Sequence, residues 1–568
     1  MKRAIFIFVC ASATLLMTAR YSSRAYAHTS ADSRQSDMRS ATGPNLARME
    51  QVIQSFVAGK QFMGAVLVAR VNDVLINKGY GFANLEWNIP DSPKTKFRLG
   101  SITKQFTAAS ILLLEERGKL STNDTVKKYM PDAPAAWDNI TIFNLLTHTS
   151  GIPSFTGFPD YAKLEPFSAS PEELVTRFRD KPLDFQPGEK WSYSNSGYVL
   201  LGYLIEKISR ESYARFVQDN IFTPLGMADS GYDSNSALIQ NRASGYTPGQ
   251  NGIVNAGYIN MTIPLSAGGL YSTTEDLLRW EQGLFGGKLL SPASLKKMTT
   301  PFKKDYGFGL SIRTVNGQEQ IEHNGGIEGF NTVLAYYPTD KLTVVVLANL
   351  NGAAPEEIAE DLHTLAEGGT VVLTSERKAV KIDPTIFDSY VGSYQLAPNF
   401  VLKITREGDR FMTQATGQGQ VEIFPEGDHD FFAKVVNAQI TFVTNSEGRA
   451  TELILHQGGR DQHAPRVEGA AAEPKQHKEI QVDPKIFEGY VGNYQLAPNF
   501  SITITRDGDH LFEQATNQPK FEIFPESDKD YFLKVVDAQI TFITDVQGRV
   551  TELILHQGGA DQHARRVE

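Results

Sequence analysis

The C-terminal third of the chain is a tandem duplication, and this feature constrains the fold more than any other. The stretch "YVGSYQLAPNF" at 390–400 returns as "YVGNYQLAPNF" at 490–500, an offset of one hundred residues. More than half of the positions match between 382–467 and 482–567. Segments this similar adopt the same fold, so that fold must be complete within about 85 residues.

Each copy has the pattern of short antiparallel strands. In the second copy, apolar Ile540 and Phe542 alternate with Thr541, a turn follows around Gly548, and a second run ends at His556. This is a strand–turn–strand pattern. Because several such hairpins fit into each copy, we predict a small antiparallel meander or closed β-barrel in each.

The region before the copies mixes element types. With 568 residues the chain is too long for one hydrophobic core. Residues 46–365 begin with helical spacing and a predicted hairpin, continue through helical stretches, and end in four predicted strands and a helix. This order predicts an α/β (α+β) domain in which an antiparallel sheet is covered by helices and joined to a helical subdomain. The segment 469–479 between the copies is typical of a flexible linker.

The N-terminal residues 1–27 have the composition of a secretory signal peptide. Lys2 and Arg3 precede an apolar run, and "AYA" ends at Ala27. The run is short for a membrane span, so we expect its removal, a periplasmic or extracellular protein, and no stable membrane span afterwards. An N-terminal membrane anchor is the alternative.

Composition excludes several classes of function. The one cysteine, Cys10, lies in the signal segment, so the mature chain has no disulfide, thiol nucleophile or thiolate metal site. Acidic residues outnumber basic ones, 65 to 55, which argues against a nucleic-acid partner. No phosphate loop or Gly-x-Ser-x-Gly elbow is present, and the spacing of seven between His456 and His463 is not a usual zinc pattern. We predict neither cofactor nor metal.

The first candidate for chemistry is the pair Ser101 and Lys104. Helical spacing of apolar residues begins at Ser101, and residues three apart share a helix face. A lysine in a dry pocket has a lowered pKa and can take the proton of a serine hydroxyl. The free N–H groups of a helix N-terminus can face an oxyanion. The alternative is that Ser101 caps the helix and Lys104 is solvated.

The Ser-x-x-Lys pattern alone does not choose between these readings, because it occurs three times. Ser294 and Lys297 lie in a polar helix start with a second adjacent lysine. Ser375 and Lys378 lie in the segment before the first copy. We interpret both of these pairs as structural.

A second candidate is Tyr193 with Asn195, just before a predicted amphipathic helix. A phenol near a cation can relay protons, and an asparagine amide can orient a lysine and bind a substrate amide. The alternative is a loop with a capping Ser or Asn. Tyr258 and Asn260 repeat the spacing, so this motif is also weak by itself.

The third candidate is the segment "IEHNGG". We expect His323 to end a strand, followed by Asn324, Gly325 and Gly326. Two glycines at a strand edge permit close approach by a ligand. The Gly326 N–H is a candidate oxyanion donor. The same His-x-Gly-Gly string occurs in each C-terminal copy, where duplication favours a structural turn.

Together these motifs carry a family resemblance. Their order and spacing resemble the class C β-lactamase-like serine hydrolases, which include D,D-carboxypeptidases, D-aminopeptidases, some esterases and class C β-lactamases. "LLTHTSGI" at 145–152, "FQPGEKWSYSNSGYVLLGYLIE" at 185–206 and "AGGLYSTTEDLLRW" at 267–280 look like the same family. The resemblance covers 46–365 and implies the β-lactamase/transpeptidase-like fold.

The resemblance also implies roles. Ser101 would be the acylated nucleophile, Lys104 the base, and Tyr193 the proton relay to the leaving group. Asn195 would orient Lys104 and the substrate. The remaining implied site residues are the strand residues His323, Asn324 and Gly325, and the oxyanion-hole amides of Ser101 and Gly326.

His323 is a departure from the β-lactamases of this group, which usually have lysine there. Histidine is common in the D-peptidase and aminopeptidase branches, and a neutral histidine holds a substrate carboxylate less firmly. The duplicated copies resemble the lipocalin-like barrels attached to some D-aminopeptidases of this family.

The predicted function is therefore a secreted serine hydrolase that forms an acyl-enzyme on Ser101. Its expected substrates are small peptides, amides or esters, including those with D-residues. The alternative within the class is a β-lactamase or D,D-carboxypeptidase acting on β-lactams or cell-wall peptides. A non-catalytic cell-wall-binding protein is the alternative from another class. The oligomeric state is left open.

Overall fold

The structure is a computed structural model that divides into two units, one ending at Val371 and the other beginning at Val372. The predicted signal segment 1–27 and nearly all of the linker 469–479 lie outside the described residues. The structure describes residues 45–158, 160–249, 252–315, 317–397, 400–416, 418–434, 437–457, 460–467, 479–480, 482–497, 500–515, 520–533, 538–545, 547–557 and 560–567.

The first unit mixes helices and strands, with strands near both ends and helices between them, as predicted. Its helices are α1 (Leu46–Ala58), α2 (Thr103–Glu116), α3 (Ile142–Leu146), α4 (Tyr161–Leu164), α5 (Pro171–Arg179), α6 (Asn195–Ser209), α7 (Tyr213–Val217), α8 (Thr223–Leu225), α9 (Leu265–Gly268), α10 (Thr274–Phe285), α11 (Pro292–Met298) and α12 (Ala354–Ala366). Its strands are β1 (Gly64–Arg70), β2 (Asp73–Tyr80), β3 (Phe82–Asn84), β4 (Ile89–Pro90), β5 (Phe97–Arg98), β6 (Gly231–Tyr232), β7 (Tyr246–Gly249), β8 (Gly252–Asn255), β9 (Leu270–Ser272), β10 (Ser311–Val315), β11 (Gln318–Ile327), β12 (Phe330–Tyr337) and β13 (Leu342–Ala348).

An antiparallel sheet organises this unit. Among the described residues it has six strands in the order β10-β11-β12-β13-β1-β2, so the first and last parts of the unit meet where β1 pairs with β13. Leu67 and Val345 face the cluster that contains α2 and α10, whereas Val66 and Val346 point to the opposite face. Both faces are covered, which explains why β1 and β13 read as continuous apolar runs. Helices α1 and α12 contact each other, and α12 packs on β12 and β13.

The helical subdomain packs around α2. Nearly the whole of α2 is buried, including polar Gln105 and Ser110. The helix contacts α6 and α9, and α6 also contacts α3 and α5. In a helix that is buried all round, polar side chains bond within the protein: Gln105 Oε1 accepts from the Trp280 indole at 2.8 Å, whereas Gln105 Nε2 has no partner among the described residues. This burial shields the first turn of α2, which contains Lys104, from solvent.

The second unit contains two closed antiparallel barrels, which confirms the fold predicted from the duplication. The strands of the first barrel are β14 (Gly392–Ala397), β15 (Phe400–Glu407), β16 (Arg410–Ala415), β17 (Val421–Pro425), β18 (Asp430–Ala433), β19 (Ala438–Thr444), β20 (Ala450–Gln457) and β21 (Arg460–Val467). Those of the second are β22 (Gly492–Ala497), β23 (Phe500–Asp507), β24 (His510–Ala515), β25 (Phe521–Pro525), β26 (Asp530–Leu533), β27 (Ala538–Thr544), β28 (Val550–Gln557) and β29 (Ala560–Val567). Short helices, α13 (Pro384–Asp388) and α14 (Phe487–Tyr490), precede them.

The two barrels share one register. Phe442 pairs with Leu453 in the first barrel, and Phe542 pairs with Leu553 in the second. Aromatic side chains fill the first interior: the Phe387 ring lies 4.2 Å from Phe411 between ring centroids. An eight-stranded barrel is just wide enough for such side chains, so a packed interior is the expected result.

Candidate active site

Ser101 lies in the 3-10 turn Gly100–Ile102, which leads directly into α2. Gly100 has a left-handed φ of 54°, which a residue with a side chain rarely adopts. A Cβ placed on Gly100 would lie 2.9 Å from the Gly326 nitrogen, so the turn is pressed against β11. Glycine before the serine is therefore required by both conformation and space.

Lys104 is fully buried, and its amine has three oxygen neighbours. Lys104 Nζ lies 3.0 Å from Ser101 Oγ, 2.9 Å from Asn195 Oδ1 and 2.8 Å from the carbonyl oxygen of Ala267. The Ala267 carbonyl is available because it lies in the last turn of α9. Burial holds the pKa of the Lys104 amine well below its usual range.

Tyr193 reaches the same serine oxygen from another side. Its hydroxyl donates to Ser101 Oγ at 2.7 Å. Lys104 Nζ lies 4.7 Å from the centre of the Tyr193 ring. Burial raises the pKa of the Tyr193 phenol above its usual value. The phenol therefore keeps its proton at neutral pH and is the donor in this bond.

Asn195 is held at both ends of its amide. It is the first residue of α6, with Ser194 as the N-cap. Its Oδ1 accepts from Lys104, and its Nδ2 donates to Thr156 Oγ1 at 3.0 Å. The Asn195 backbone N–H donates to Ser154 Oγ at 3.1 Å. Because every group of the amide has a partner, its orientation toward Lys104 is determined.

His323 lies in the middle of β11 and not at its end, so the predicted strand boundary is wrong. The strand continues through the glycines to Ile327 because β11 pairs with β12 along that whole stretch. His323 is buried. Its Nε2 lies 2.9 Å from the Tyr306 hydroxyl, and its Nδ1 lies 2.6 Å from the carbonyl oxygen of Asn324.

These contacts determine the proton positions on His323. Nδ1 faces a carbonyl oxygen and must donate to it, so Nε2 accepts from the Tyr306 hydroxyl. Burial lowers the pKa of His323 to about 3. The imidazole is therefore neutral, and both nitrogens are engaged.

The structure corrects the predicted roles of two residues after His323. The Asn324 side chain points to the opposite face of the sheet and donates to the Glu356 carboxylate of α12, so only its backbone faces the site. A Cβ on Gly325 would lie 2.0 Å from the Leu99 carbonyl oxygen, so the chain itself fills the room expected for a ligand. At Gly326 the nearest atom to such a Cβ is Asn331 Nδ2, 3.4 Å away.

Sequence reasoning missed several residues of this site. Tyr306 contacts His323, and the Ala267 carbonyl contacts Lys104. His148 packs beside Tyr193 with 4.3 Å between ring centroids. His148 and Ala267 belong to the resemblance strings at 145–152 and 267–280, so the resemblance was the signal that could have found them. Tyr306 had none.

The competing motifs lie apart from this cluster. Lys297 pairs with Glu115 at 2.9 Å, and its side chain is half exposed. Ser375 and Lys378 are exposed, and so is Tyr258. In the described part of the chain, no three His, Cys, Asp or Glu side chains are grouped to hold a metal ion. No helix there is long and apolar enough to span a membrane.

Comparison with known proteins identifies relatives of this chain. The sequence profile described as "Beta-lactamase" matches residues 49–367, more than half of the chain. A second profile, "Domain of unknown function (DUF3471)", matches 376–468 and 476–566. Penicillin-binding protein 4* of Bacillus subtilis (strain 168) is 31% identical over 442 residues, covering 72% of this chain and 95% of that protein.

Solved structures are also similar. The octameric penicillin-binding protein homologue from Pyrococcus abyssi has a TM-score of 0.55 at 27% identity, covering 74% of this chain and 100% of that one. The D-stereospecific amidohydrolase from Streptomyces sp. has a TM-score of 0.50 at 28% identity, covering 56% of this chain and 98% of that one. The predicted β-lactamase-like fold is thereby confirmed. The chain belongs to the β-lactamase family, a family of serine hydrolases.

Proposed function

We propose that this protein hydrolyses small amides, peptides or esters, including those of D-amino acids, through an acyl-enzyme on Ser101. One observation carries the proposal: the Ser101 hydroxyl is contacted by a buried lysine and by a protonated phenol at once. A serine becomes a good nucleophile when a neighbouring base can take its proton. The similarity to a D-stereospecific amidohydrolase supports the substrate class.

Neutral Lys104 fits its three contacts. Two N–H groups donate to Asn195 Oδ1 and the Ala267 carbonyl, which leaves the nitrogen lone pair facing the Ser101 hydroxyl. As Ser101 Oγ bonds to the substrate carbonyl carbon, its proton passes to Lys104 Nζ. The carbonyl π electrons move to the oxygen, which faces the amides of Ser101 and Gly326.

Collapse of this intermediate needs an acid. Tyr193 lies beside Ser101 Oγ, where it can donate its proton to the departing amine or alkoxide as the bond to the carbonyl carbon breaks. The proton on Lys104 then restores the phenol. Water repeats the sequence on the acyl-enzyme: its oxygen bonds to the carbonyl carbon, the bond from that carbon to Ser101 Oγ breaks, and one water proton passes through the same groups to Ser101 Oγ.

Neutral His323 favours substrates that have no carboxylate on its side of the site. Both of its nitrogens are used by Tyr306 and the Asn324 carbonyl, so it offers neither a charge nor a spare N–H. A carboxylate there would be desolvated without a cationic partner, which costs free energy. We therefore expect amides, aminoacyl esters and amino-terminal peptide bonds to be better substrates than β-lactams or carboxyl-terminal D,D-peptides.

The test is a substrate panel run with wild type and Ser101→Ala. The panel contains D- and L-amino-acid amides, p-nitrophenyl esters, a D-Ala-D-Ala peptide and a chromogenic cephalosporin. We expect turnover of D-amides and esters by wild type and a loss of at least about 10³-fold in Ser101→Ala. Equal rates in both proteins would rule out the assignment.

Labelling separates catalysis from the alternative of a binding protein that has lost turnover. A fluorescent fluorophosphonate should label wild type and leave Ser101→Ala unlabelled. A wild-type protein that is neither labelled nor active, but retains peptidoglycan in a pull-down, would favour the binding protein.

We also propose secretion, on the basis of residues 1–27. The mature protein is then expected in the periplasm or medium with His28 as its first residue. Intact-mass analysis of the fractionated protein is the test, and an unprocessed chain retained in the cytoplasm would contradict it.

A further inference from the structure

His148 is a buried histidine that has no part in the catalytic steps above. It accepts hydrogen bonds from the two residues that flank Tyr193 in the chain, Ser192 and Ser194. Its backbone carbonyl accepts the N–H of Ser192 at 2.9 Å. Its ring Nδ1 accepts the N–H of Ser194 at 3.1 Å. Two bonds that flank a residue in this way hold its backbone in one conformation, which determines the direction in which the Tyr193 side chain leaves the chain.

The His148 ring also supports the Tyr193 ring directly. The two ring centroids are 4.3 Å apart, with an angle of 38° between the planes. The His148 ring lies 4.7 Å from Tyr306, the residue that donates to His323. His148 therefore lies between the phenol that contacts Ser101 and the phenol that orients the histidine of β11.

The protonation state of His148 suits a supporting role. Because Nδ1 accepts from a backbone N–H, the ring proton is on Nε2, and Nε2 has no hydrogen-bond partner among the described residues. An imidazolium would turn Nδ1 into a donor and break the bond to Ser194. Burial keeps the pKa of His148 well below its usual range, so the neutral ring persists.

The backbone of His148 is itself unusual. Its φ is 56°, a left-handed conformation that few residues other than glycine adopt. Such a conformation costs free energy and persists where the surrounding structure requires it, often near functional sites. Here it allows one residue to present both its carbonyl and its ring to the Tyr193 segment.

We propose that His148 is a positioning residue that holds the Tyr193 hydroxyl at Ser101 for proton donation to the leaving group. The inference rests on the proposed function, because it assigns His148 to the step in which Tyr193 acts as the acid. A group that only supports the fold would affect all substrates alike. A group that positions the acid matters most when the leaving group is a poor one and needs a proton.

Leaving-group dependence therefore provides the test. Rates are measured on a D-amino-acid anilide, whose nitrogen must be protonated as it leaves, and on the matched p-nitrophenyl ester, whose phenolate leaves unaided. For His148→Leu we expect the anilide kcat to fall by about 10²-fold, with KM within about twofold. The ester kcat should fall less than about fivefold, so the anilide-to-ester ratio should fall by at least about 20-fold.

Conservative replacement sharpens the result. His148→Asn keeps an acceptor oxygen near the position of Nδ1 and tolerates a left-handed φ, but it lacks the ring. We expect the anilide kcat of His148→Asn to be about tenfold higher than that of His148→Leu. Its anilide-to-ester ratio should still be lower than that of wild type. The matched control is His363→Asn, since His363 is also buried and stacked on a tyrosine, with its ring centroid 3.7 Å from that of Tyr337. The control should leave the ratio unchanged.

Thermal unfolding of each variant is recorded alongside the rates. An equal loss on both substrates, or no loss on either, would overturn the positioning role. If His148→Leu does not fold, an anilide-to-ester ratio in His148→Asn equal to wild type would overturn it as well. An active Ser101→Ala protein would overturn the proposed function and this inference with it. An inactive Ser101→Ala protein beside a fully active His148→Leu would overturn only the inference.

Discussion

At the scale of single residues, Lys104 differs from every other described lysine because it has no exposed surface. No carboxylate lies within ion-pair distance of its amine among the described residues; its neighbours are neutral oxygens. Burial without a counter-charge disfavours the ammonium form, and this is the property that a proton acceptor at neutral pH needs.

Replacing Lys104 with a neutral side chain should separate activity from stability. We expect Lys104→Met to lower kcat/KM by at least about 10³-fold because no group is left to take the proton of Ser101. The melting temperature should stay the same or rise, since a buried amine is costly to desolvate. Lys297→Met, at the half-exposed lysine of another Ser-x-x-Lys pair, is the matched control. More than a tenth of wild-type activity in Lys104→Met would contradict the role of base.

Glu281 is a second buried ionisable residue, on α10, and it lies outside the proposed mechanism. Its Oε2 has no hydrogen-bond partner among the described residues, and burial raises the pKa of its carboxyl to about 8. The folded state therefore holds this proton more tightly than the unfolded chain, whose pKa is near 4.5. Its contribution to stability is complete below pH 4.5 and is lost as the pH rises through 8.

Glu281→Gln should remove this pH dependence. We expect wild type and variant to unfold at similar denaturant concentrations at pH 4.5. The variant should become more stable relative to wild type by up to about 1.4 kcal/mol per pH unit between pH 5 and pH 8. Urea unfolding across that range is the measurement, and Glu275→Gln, exposed on the same helix, is the control. Parallel pH profiles for wild type and Glu281→Gln would refute the prediction.

At the scale of elements, the contact between β11 and the Ser101 turn shapes the site. Gly100 and Gly325 each allow one backbone to touch the other, and Thr332 of β12 donates to the Leu99 carbonyl at 2.8 Å. The turn is therefore attached to the sheet by backbone packing and by the hydrogen bond from the Thr332 side chain. A change of one methyl group in this contact should move β11 relative to Ser101.

Gly325→Ala tests this contact. Its Cβ would lie 2.0 Å from the Leu99 oxygen and 2.4 Å from Thr332 Oγ1, so one element must shift. We expect a loss of about 1–3 kcal/mol in the free energy of unfolding, together with a lower kcat. Gly257→Ala, which would meet no atom within 4 Å, is the control. Unchanged stability and kcat in Gly325→Ala would show that the contact is not tight.

At the scale of the whole molecule, the candidate site and the barrels belong to different units. Each described side chain that contacts Ser101, Lys104, Tyr193 or His323 lies before Val372. The unit ending at Val371 has its own core, built around α2 and the sheet. The chemistry on a small substrate should therefore be complete without the barrels.

A chain ending at Val371 should retain its activity. We expect kcat on a p-nitrophenyl ester within about twofold of the full-length protein, because every contacting group is retained. Steady-state kinetics of the truncated and full-length proteins are compared on the ester and on a longer D-peptide. A folded truncated protein that had lost ester hydrolysis would show that the second unit contributes to the site.

The sequence by itself determined those features that have a local or repeated signal. The duplication predicted two copies of one barrel, because alternation of apolar residues is read along each strand. The order of the three motifs, taken with the family resemblance, identified Ser101, Lys104, Tyr193 and Asn195, which the structure brings together; their catalytic roles stay predictions.

Only the tertiary structure decided which groups complete the site. The Asn324 side chain points away from the site because strand residues alternate between the two faces of the sheet. The strand predicted from the sequence ended at His323, so this alternation was not applied to Asn324. The Ala267 carbonyl reaches Lys104 from 163 positions away, and Tyr306 orients His323 through a loop without a pattern. Such contacts depend on how helices and strands pack across the core. That packing places distant residues within hydrogen-bond distance, and it leaves no periodic mark on the chain.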